Sequence, residues 1–163
     1  FAKDKNSIYS AHVCEGPGGF IEALYAYAQQ RSIKVNHSIA MTLYSTKNNI
    51  PGWKSTTQFL KKHGMIKIIY GDDNTGDIIK VKNQQYYVNY STKAPYTTKY
   101  NIFTADGGFD FSCDYSKQEE MIFPLLVAST KIGLEVLKKG GVFILKMFDY
   151  YNEFFNCLNV KGP

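Results

Sequence analysis

The sequence predicts an α/β fold with a mostly parallel sheet and helices on both faces. Short apolar segments of strand length alternate along the chain with segments whose apolar residues recur at helical spacing. Glycine-containing or polar turns separate these segments. Strands that alternate with helices form βαβ units, which place the strands side by side in one parallel sheet. The 163 residues suffice for one domain with a real core, so we expect a single domain over residues 1–163.

The elements follow from hydrophobic periodicity and from turn residues. Strands are predicted at residues 8–14, 37–44, 65–70, 100–105 and 142–147. Helices are predicted at residues 20–30, 53–63, 119–138 and 151–158. In the third helix, Lys138 and Lys139 fall in the last turn, where cations suit the helix dipole, and Gly140 is the expected cap. Residues 79–99 fit either short strands or a helix with a loop.

Composition limits the classes of function. No apolar run approaches the roughly 18–20 residues of a membrane span, and no signal-peptide pattern opens the chain, so we expect a cytoplasmic protein that is not secreted and has no membrane partner. The three cysteines are widely spaced and form no CxxC pair. This spacing argues against a zinc site or a disulfide framework and favours a reducing compartment.

Charge and aromatic content are compatible with RNA as a partner. The net charge is +5 and aromatic residues make up 15% of the chain, which suits phosphate attraction and base stacking. A solvated lysine-rich surface would give the same charge. A tyrosine cluster could stack on a cap or on RNA bases, but strand packing explains it equally well, so it is assigned no cap site. The cluster comprises Tyr86, Tyr87, Tyr90, Tyr96 and Tyr100.

A glycine-rich turn between the first strand and the first helix is the centre of the predicted site. Gly16, Gly18 and Gly19 lack a Cβ, so the backbone can turn sharply and a ligand can lie against it. Pro17 fixes φ within the turn. The free N–H groups at the start of the helix favour a carboxylate or a phosphate. The pattern is neither GxGxxG nor a P-loop, and an ordinary βα turn is the alternative interpretation.

Polar residues also lie at the carboxyl ends of three other predicted strands. Asp72-Asp73 and Asp106-Gly107 follow two of them, and Lys146 lies near the end of the last. The carboxyl ends of parallel strands share one edge of a sheet, where ligands bind. We therefore expect one site at this edge, with Asp106 able to pair with Lys146. The alternatives are an Asx-turn for Asp106 and a strand-end lysine that reaches solvent for Lys146.

Five short motifs occur in an order that resembles the FtsJ-like family of S-adenosylmethionine (SAM)-dependent ribose 2′-O-methyltransferases, and most closely its mRNA cap branch. They lie at residues 14–20, 41–43, 76–78, 105–109 and 140–149. The resemblance implies a Rossmann-like SAM-dependent methyltransferase fold. Large cytoplasmic DNA viruses such as African swine fever virus carry FtsJ-like proteins, and a composition rich in Lys, Asn, Tyr and Ile would suit a viral source.

The resemblance also implies functional residues and a reaction. SAM would be bound by Cys14, Glu15, Gly16, Pro17, Gly18, Gly19 and Phe20, with Asp77 and Ile78 near its adenine. Asp106 and Lys146 resemble two members of the family's catalytic Lys-Asp-Lys-Glu tetrad. The implied reaction is 2′-O-methylation of RNA ribose, at the cap-proximal nucleotide of capped mRNA. A nearby amine can accept or steer the proton of the poorly nucleophilic 2′-hydroxyl, and no metal is required.

Departures from the family pattern keep alternatives open. Lys3 and Lys5 lie too close to the turn to be the first lysine of the tetrad, and Glu153 lies too near Lys146 to be its glutamate. We therefore expect a fragment cut at both ends, whose site a partner subunit could complete. His12 replaces the usual aspartate, and Glu15 replaces an alanine common in the cap branch, which puts SAM affinity in question. A catalytically silent SAM- or RNA-binding module and an rRNA 2′-O-methyltransferase are the rival interpretations.

Overall fold

A computed structural model describes residues 6–44, 52–53, 57–93, 99–108 and 118–147, without the side chains of residues 118–121. Five parallel strands form one sheet in the order β3-β2-β1-β4-β5. The strands are β1 (Ser7–Val13), β2 (Lys34–Met41), β3 (Ile66–Ile69), β4 (Tyr100–Ala105) and β5 (Leu137–Leu145). The helices are α1 (Gly19–Gln30), α2 (Thr57–Lys62), α3 (Val81–Thr92) and α4 (Gln118–Val136). This is the Rossmann-like order that the sequence predicts.

Most predicted elements lie where the sequence places them. The prediction for β4 matches residue for residue. Strand β1 begins and ends one residue earlier than predicted, and α1 begins one residue earlier. Strand β2 begins and ends three residues earlier than predicted. Trp53 lies in a turn rather than in α2. Of the two alternatives for residues 79–99, the helix is correct, whereas the predicted helix at 151–158 lies outside the described residues.

The predicted end of the long helix is wrong. Helix α4 ends at Val136, and Lys138, Lys139 and Gly140 belong to β5. Tyr100 pairs with Leu137 and Ile102 with Val142, so the residues between Leu137 and Val142 bulge out of the ladder. Gly140 takes a left-handed φ of 75° within this bulge. Lys138, Lys139 and Gly140, which the sequence places at a helix end, therefore form the bulge at the start of β5.

The two faces of the sheet differ in chemistry. Helices α3 and α4 cover an apolar face and form a core with Val13, Ile39, Met41, Phe103 and Ala105. Helices α1 and α2 cover the opposite face, where Ile21 packs against Ala40 and Trp53. This second face also buries polar residues from the three central strands, namely Ser10, His12, Ser38 and Thr104. No helix in the described part of the chain has the length and hydrophobicity of a membrane span.

Candidate active site

The predicted turn connects β1 to α1 in a tightly packed conformation. Cys14 has a φ of 56° and Gly18 a φ of 117°, both left-handed. A Cβ on Gly16 would lie 2.7 Å from the carbonyl oxygen of Gly52 and 3.0 Å from Oγ1 of Thr42. Only glycine fits at position 16, because the backbone of residue 52 cannot retreat as a flexible side chain would.

Glu15 turns its carboxylate inward, beneath the turn. Its Oε1 accepts the N–H of Ile21 at 2.8 Å, and its Oε2 accepts the hydroxyl of Thr104 at 3.2 Å. The carboxylate that the sequence predicts near the start of α1 therefore comes from the chain itself. Burial raises the pKa of Glu15 to about 7; the bond from Ile21 opposes this rise, and the negative charge of Asp106 adds to it.

His12 is buried beside Glu15 and is hydrogen-bonded through both ring nitrogens. Nδ1 lies 2.7 Å from Oγ1 of Thr104, and Nε2 lies 2.9 Å from Oγ of Ser10. Burial lowers the pKa of His12 to about 3, so the ring is neutral at physiological pH. The 3.8 Å separation of its Nδ1 from Oε2 of Glu15 is therefore not an ion pair.

These contacts belong to a longer series of hydrogen-bonded side chains under α1, which we name the buried relay. Its members, in order, are Tyr25, Ser38, Ser10, His12, Thr104 and Glu15. Oγ of Ser10 lies 2.6 Å from Oγ of Ser38, which lies 3.2 Å from the hydroxyl of Tyr25. Strand register explains the alignment, since β1 places Ser10 beside Ser38 of β2 and His12 beside Thr104 of β4.

The predicted pair of Asp106 and Lys146 forms at the carboxyl edge of the sheet. Nζ of Lys146 lies 2.5 Å from Oδ1 of Asp106. The Asp106 N–H donates to the carbonyl of Val13 at 3.3 Å, and the Lys146 N–H donates to the carbonyl of Ala105 at 2.9 Å. The side chains are 28% and 53% exposed, respectively, so a substrate can reach both.

Charged groups from separate loops converge around Cys14. Burial raises the pKa of the Cys14 thiol to about 12, and the negative charges of Asp106, Asp77 and Glu15 add to the rise. The positive charge of Lys146 opposes it. The structure thus brings the turn, Asp77 and the Asp106–Lys146 pair together. Asp73, which the sequence also places at this edge, pairs with Lys80.

Asn83, on α3, organises the loop that follows β3, and sequence reasoning missed it. Its buried side chain accepts the N–H of Asp72 at 2.8 Å and donates to Oδ1 of Asp73 and to the carbonyl of Asp77, each at 2.9 Å. The sequence offers no local signal for this role, because residues 79–99 fit either short strands or a helix and no pattern marks position 83 as buried. The loop also pairs Asp73 with Lys80 at 2.7 Å, which holds the pKa of Asp73 below its ordinary value.

The two predicted adenine contacts differ in exposure. Ile78 is buried in the core below α3 and α4. Asp77 stays half-buried, and its Oδ1 accepts the N–H of Ile79 at 3.0 Å. Asp77 is therefore the member of this pair whose carboxylate lies nearer to solvent.

The tyrosine cluster divides between the core and the surface. Tyr87 and Tyr100 are buried, whereas Tyr86 and Tyr90 stack with ring centroids 6.1 Å apart on α3. The stacked pair lines an open groove of about 430 Å³ together with Asp72, Lys82, Gln85, Asn89 and Lys93. Tyr96 lies outside the described residues.

Comparison with models of protein families tests the resemblance to the FtsJ-like methyltransferases that the motifs suggest. The family model of the FtsJ-like methyltransferases matches residues 1–161. The chain belongs to this family.

Curated proteins similar to this chain include cap methyltransferases. The chain is 34% identical over 152 residues to cap-specific mRNA (nucleoside-2′-O-)-methyltransferase 2 of Danio rerio, covering 91% of this chain and 20% of that protein. It is 31% identical over 166 residues to the type 1 enzyme of Dictyostelium discoideum, covering 93% of this chain and 21% of that protein. It is 30% identical over 156 residues to a probable methyltransferase of African swine fever virus, covering 86% of this chain and 34% of that protein.

The fold matches a solved structure, a ribosomal RNA methyltransferase from Plasmodium falciparum. The TM-score is 0.58 at 14% identity, covering 98% of this chain and 76% of that chain. At this identity the likeness establishes the fold alone. The chain spans about a fifth of the length of the Danio and Dictyostelium relatives.

Lys3, Lys5 and Glu153, which the sequence weighs and sets aside as the first lysine and the glutamate of the tetrad, lie outside the described residues. Within the described part, His12 and Glu15 depart from the family pattern together and contact the same hydroxyl of Thr104.

Proposed function

We propose that this chain is a SAM-dependent methyltransferase domain that methylates the ribose 2′-hydroxyl of RNA at the cap-proximal nucleotide. The observation that carries the proposal is the exposed Asp106–Lys146 pair beside the glycine-rich turn, in a member of the FtsJ-like family. The cap specificity in the names of the Danio and Dictyostelium relatives supports the choice of substrate. The proposed compartment is the cytoplasm, of the host cell if the source is viral.

The residues of the turn fit SAM as a cofactor. Gly16 packs closely against the backbone of Gly52, and the left-handed φ values of Cys14 and Gly18 let the chain turn sharply between β1 and α1. SAM supplies a methyl group bonded to a positively charged sulfonium sulfur. The acidic surroundings of Cys14 suit such a cation. We assign cofactor binding to residues 14–20 with Asp77 and Ile78, and Glu15 contributes from below the turn.

In this proposal, Lys146 and Asp106 act on the substrate hydroxyl. As a neutral amine, Nζ of Lys146 can accept the proton of the 2′-hydroxyl. Its contact with Oδ1 of Asp106 fixes the direction in which it is presented. Holding the 2′-oxygen in line with the methyl group supplies much of the acceleration. Exposure of the lysine leaves a path by which the proton reaches water.

The stacked tyrosines offer a surface for single-stranded RNA beside this edge. Tyr86 and Tyr90 present aromatic faces, and Lys82 and Lys93 supply positive charge for phosphates. Such a surface binds RNA with little sequence preference and releases it as salt concentration rises. We propose it as a contact for the RNA body rather than for the cap.

The test measures methyl transfer from SAM to a short capped RNA. Lys146→Met and Asp106→Asn should each lower the rate at saturating SAM by about 10²–10⁴-fold, and calorimetry should show that both variants still bind SAM. Lys139→Met is the matched control, because Lys139 is an exposed lysine on the same strand, in the bulge near its start. Its rate should equal that of the parent.

The rival interpretations give other outcomes. SAM binding without methyl transfer to any RNA would support the silent module. Equal transfer to capped RNA and to rRNA fragments would contradict cap specificity and favour the rRNA enzyme. A rate that survives Lys146→Met would remove the lysine from the mechanism.

A further inference from the structure

Glu15 is buried beneath the turn and has hydrogen-bond partners on two sides. Its carboxylate joins the N–H of Ile21 at the start of α1 to the hydroxyl of Thr104 on β4. His12 contacts the same hydroxyl at 2.7 Å. The position of the turn therefore depends on a carboxylate whose place is set by residues of the sheet.

The buried relay has one consistent direction when Glu15 is ionised. A carboxylate only accepts, so Thr104 donates to Glu15 and its oxygen accepts from Nδ1–H of His12. Nε2 of His12 then accepts from Ser10, which leaves the oxygen of Ser10 free to accept from Ser38. Aligned hydrogen bonds polarise one another, so the relay stabilises negative charge at its Glu15 end.

Few of the groups that face Glu15 carry charge at neutral pH. The titratable groups that face Glu15 in the described part of the chain are His12 on β1, Cys14 in the turn, Tyr87 on α3 and Asp106 after β4. Burial keeps the ring of His12 neutral and keeps the Cys14 thiol and the Tyr87 hydroxyl protonated, since it lowers the pKa of the histidine and raises the pKa of the other two. Asp106, which repels Glu15, is the remaining charge among them.

The edge of the sheet therefore has an excess of negative charge when Glu15 is ionised. Among the residues that the structure describes, Glu15, Asp77 and Asp106 contribute three carboxylates around Cys14, against the amine of Lys146. A cation placed here would relieve the repulsion and favour ionised Glu15. A neutral sulfur in the same place would not.

We propose that Glu15 is a positioning residue whose ionised carboxylate, held by Thr104 and His12, makes this edge favour a cationic methyl donor over its neutral thioether product. The inference rests on the proposed function, because it takes SAM as the donor and S-adenosylhomocysteine as the product. Loss of the sulfonium charge then weakens binding after transfer, so the product leaves more readily than the donor. Protonation of Glu15 removes this preference.

The test compares the affinities of SAM and S-adenosylhomocysteine by calorimetry as pH rises. The two molecules differ at the sulfur, so the ratio of their affinities reports the sulfonium charge. Comparison with Glu15→Gln subtracts the titration of the ligands' own amino groups. In the parent, the ratio in favour of SAM should rise about fivefold to tenfold between about pH 6 and pH 8.5. In Glu15→Gln, it should change by about twofold or less.

Two further variants separate positioning from a merely structural role. Thr104→Val removes the hydroxyl that donates to Glu15, which should raise the pKa of Glu15 and move the rise in the affinity ratio to higher pH. Thr104→Ser keeps a hydroxyl and should return the rise to the pH of the parent. Glu22→Gln is the matched control, since Glu22 is an exposed carboxylate in the first turn of α1. It should keep the pH dependence of the parent.

Each outcome decides between the proposals. If the parent does not bind SAM, the proposed function fails and the inference fails with it. If SAM binds but the ratio is independent of pH, or if Glu15→Gln keeps the rise, the inference alone is overturned. The measurement on the parent needs no variant, so a misfolded Glu15→Gln would still leave a decisive result.

Discussion

The two faces of the sheet solve the same burial problem with different chemistry. Toward α3 and α4, residues such as Phe103 and Ile39 form a fully buried apolar core. Toward α1, the same strands bury Ser10, His12 and Thr104, each with hydrogen-bond partners. Alternation along each strand places these sets on opposite sides.

The two faces therefore contribute differently to stability and to the chemistry of the site. An apolar core gains free energy from burial and is indifferent to pH. A buried polar face gains little net free energy, but it fixes directions and makes the fold sensitive to protonation. In this protein, the polar face ends at Glu15 below the turn proposed to hold SAM, so local structure and cofactor binding meet there.

The largest effect should come from the apolar face. Phe103 is buried and stacks on Phe143 with centroids 5.1 Å apart. Phe103→Ala should lower the free energy of unfolding by about 3–5 kcal/mol in urea titrations, because it removes apolar contacts and leaves a cavity. Leu134→Ala, at a position 71% exposed, is the control and should change it by about 0.5 kcal/mol or less. Similar losses in the two variants would contradict the assignment of the core.

The second effect is a dependence on pH that belongs to the polar face. The pKa of Glu15 is raised from 4.5 to about 7 in the folded chain, so the stability from this group is present below pH 4.5 and lost as pH rises through 7. Relative to Glu15→Gln, the free energy of unfolding of the parent should fall by about 3 kcal/mol from pH 4.5 to pH 8.

His12 contributes to the pH dependence with the opposite sign. Its pKa is lowered to about 3, so its stability is present above pH 6.5 and lost as pH falls toward 3. Burial also lowers the pKa of His37 to about 4. The parent should therefore gain some stability between pH 4.5 and 6.5, and Glu15→Gln should gain roughly twice as much over that range. Parallel profiles for the parent and the variant would show that Glu15 titrates at its ordinary pKa.

The apolar face could be predicted from the sequence, and the polar face only in part. Hydrophobic runs locate β1 and β4 within a residue, because burial of alternate residues leaves a periodic signal. The shared carboxyl edge follows from parallel topology, which is why Asp106 and Lys146 meet as predicted. The buried relay depends on register between strands, for which one sequence carries no local signal.

Glu15 and Lys138 illustrate the limits of local patterns. Glu15 is in the predicted turn, but the direction of its side chain depends on the hydroxyl of Thr104, 89 residues away. Lys138 looks like the end of a helix by its neighbours, yet pairing of Leu137 with Tyr100 starts β5 earlier. In both cases a tertiary contact outweighs the local preference.

Removing one hydroxyl inside the relay should have a smaller effect than removing the aromatic core. Thr104→Val leaves Nδ1 of His12 and Oε2 of Glu15 without the hydroxyl that joins them. The free energy of unfolding should fall by about 2 kcal/mol at pH 8, where Glu15 is ionised, and by less at pH 5. Thr104→Ser should recover most of the loss. An equal loss in Val and Ser variants would assign the effect to packing of the Thr104 methyl group.

The smallest effect should come from the far end of the relay. Ser38→Ala removes the partner of Ser10 at 2.6 Å and of Tyr25 at 3.2 Å, but Tyr25 is half-buried and can turn to water. We expect a loss of about 1 kcal/mol in urea titrations, with little dependence on pH, because the ionised group lies four hydrogen bonds away. If Ser38→Ala costs as much at pH 8 as Thr104→Val and loses the effect at pH 5, the relay polarises along its whole length. The polar face would then respond to Glu15 as one cooperative unit, which the apolar face has no means to do.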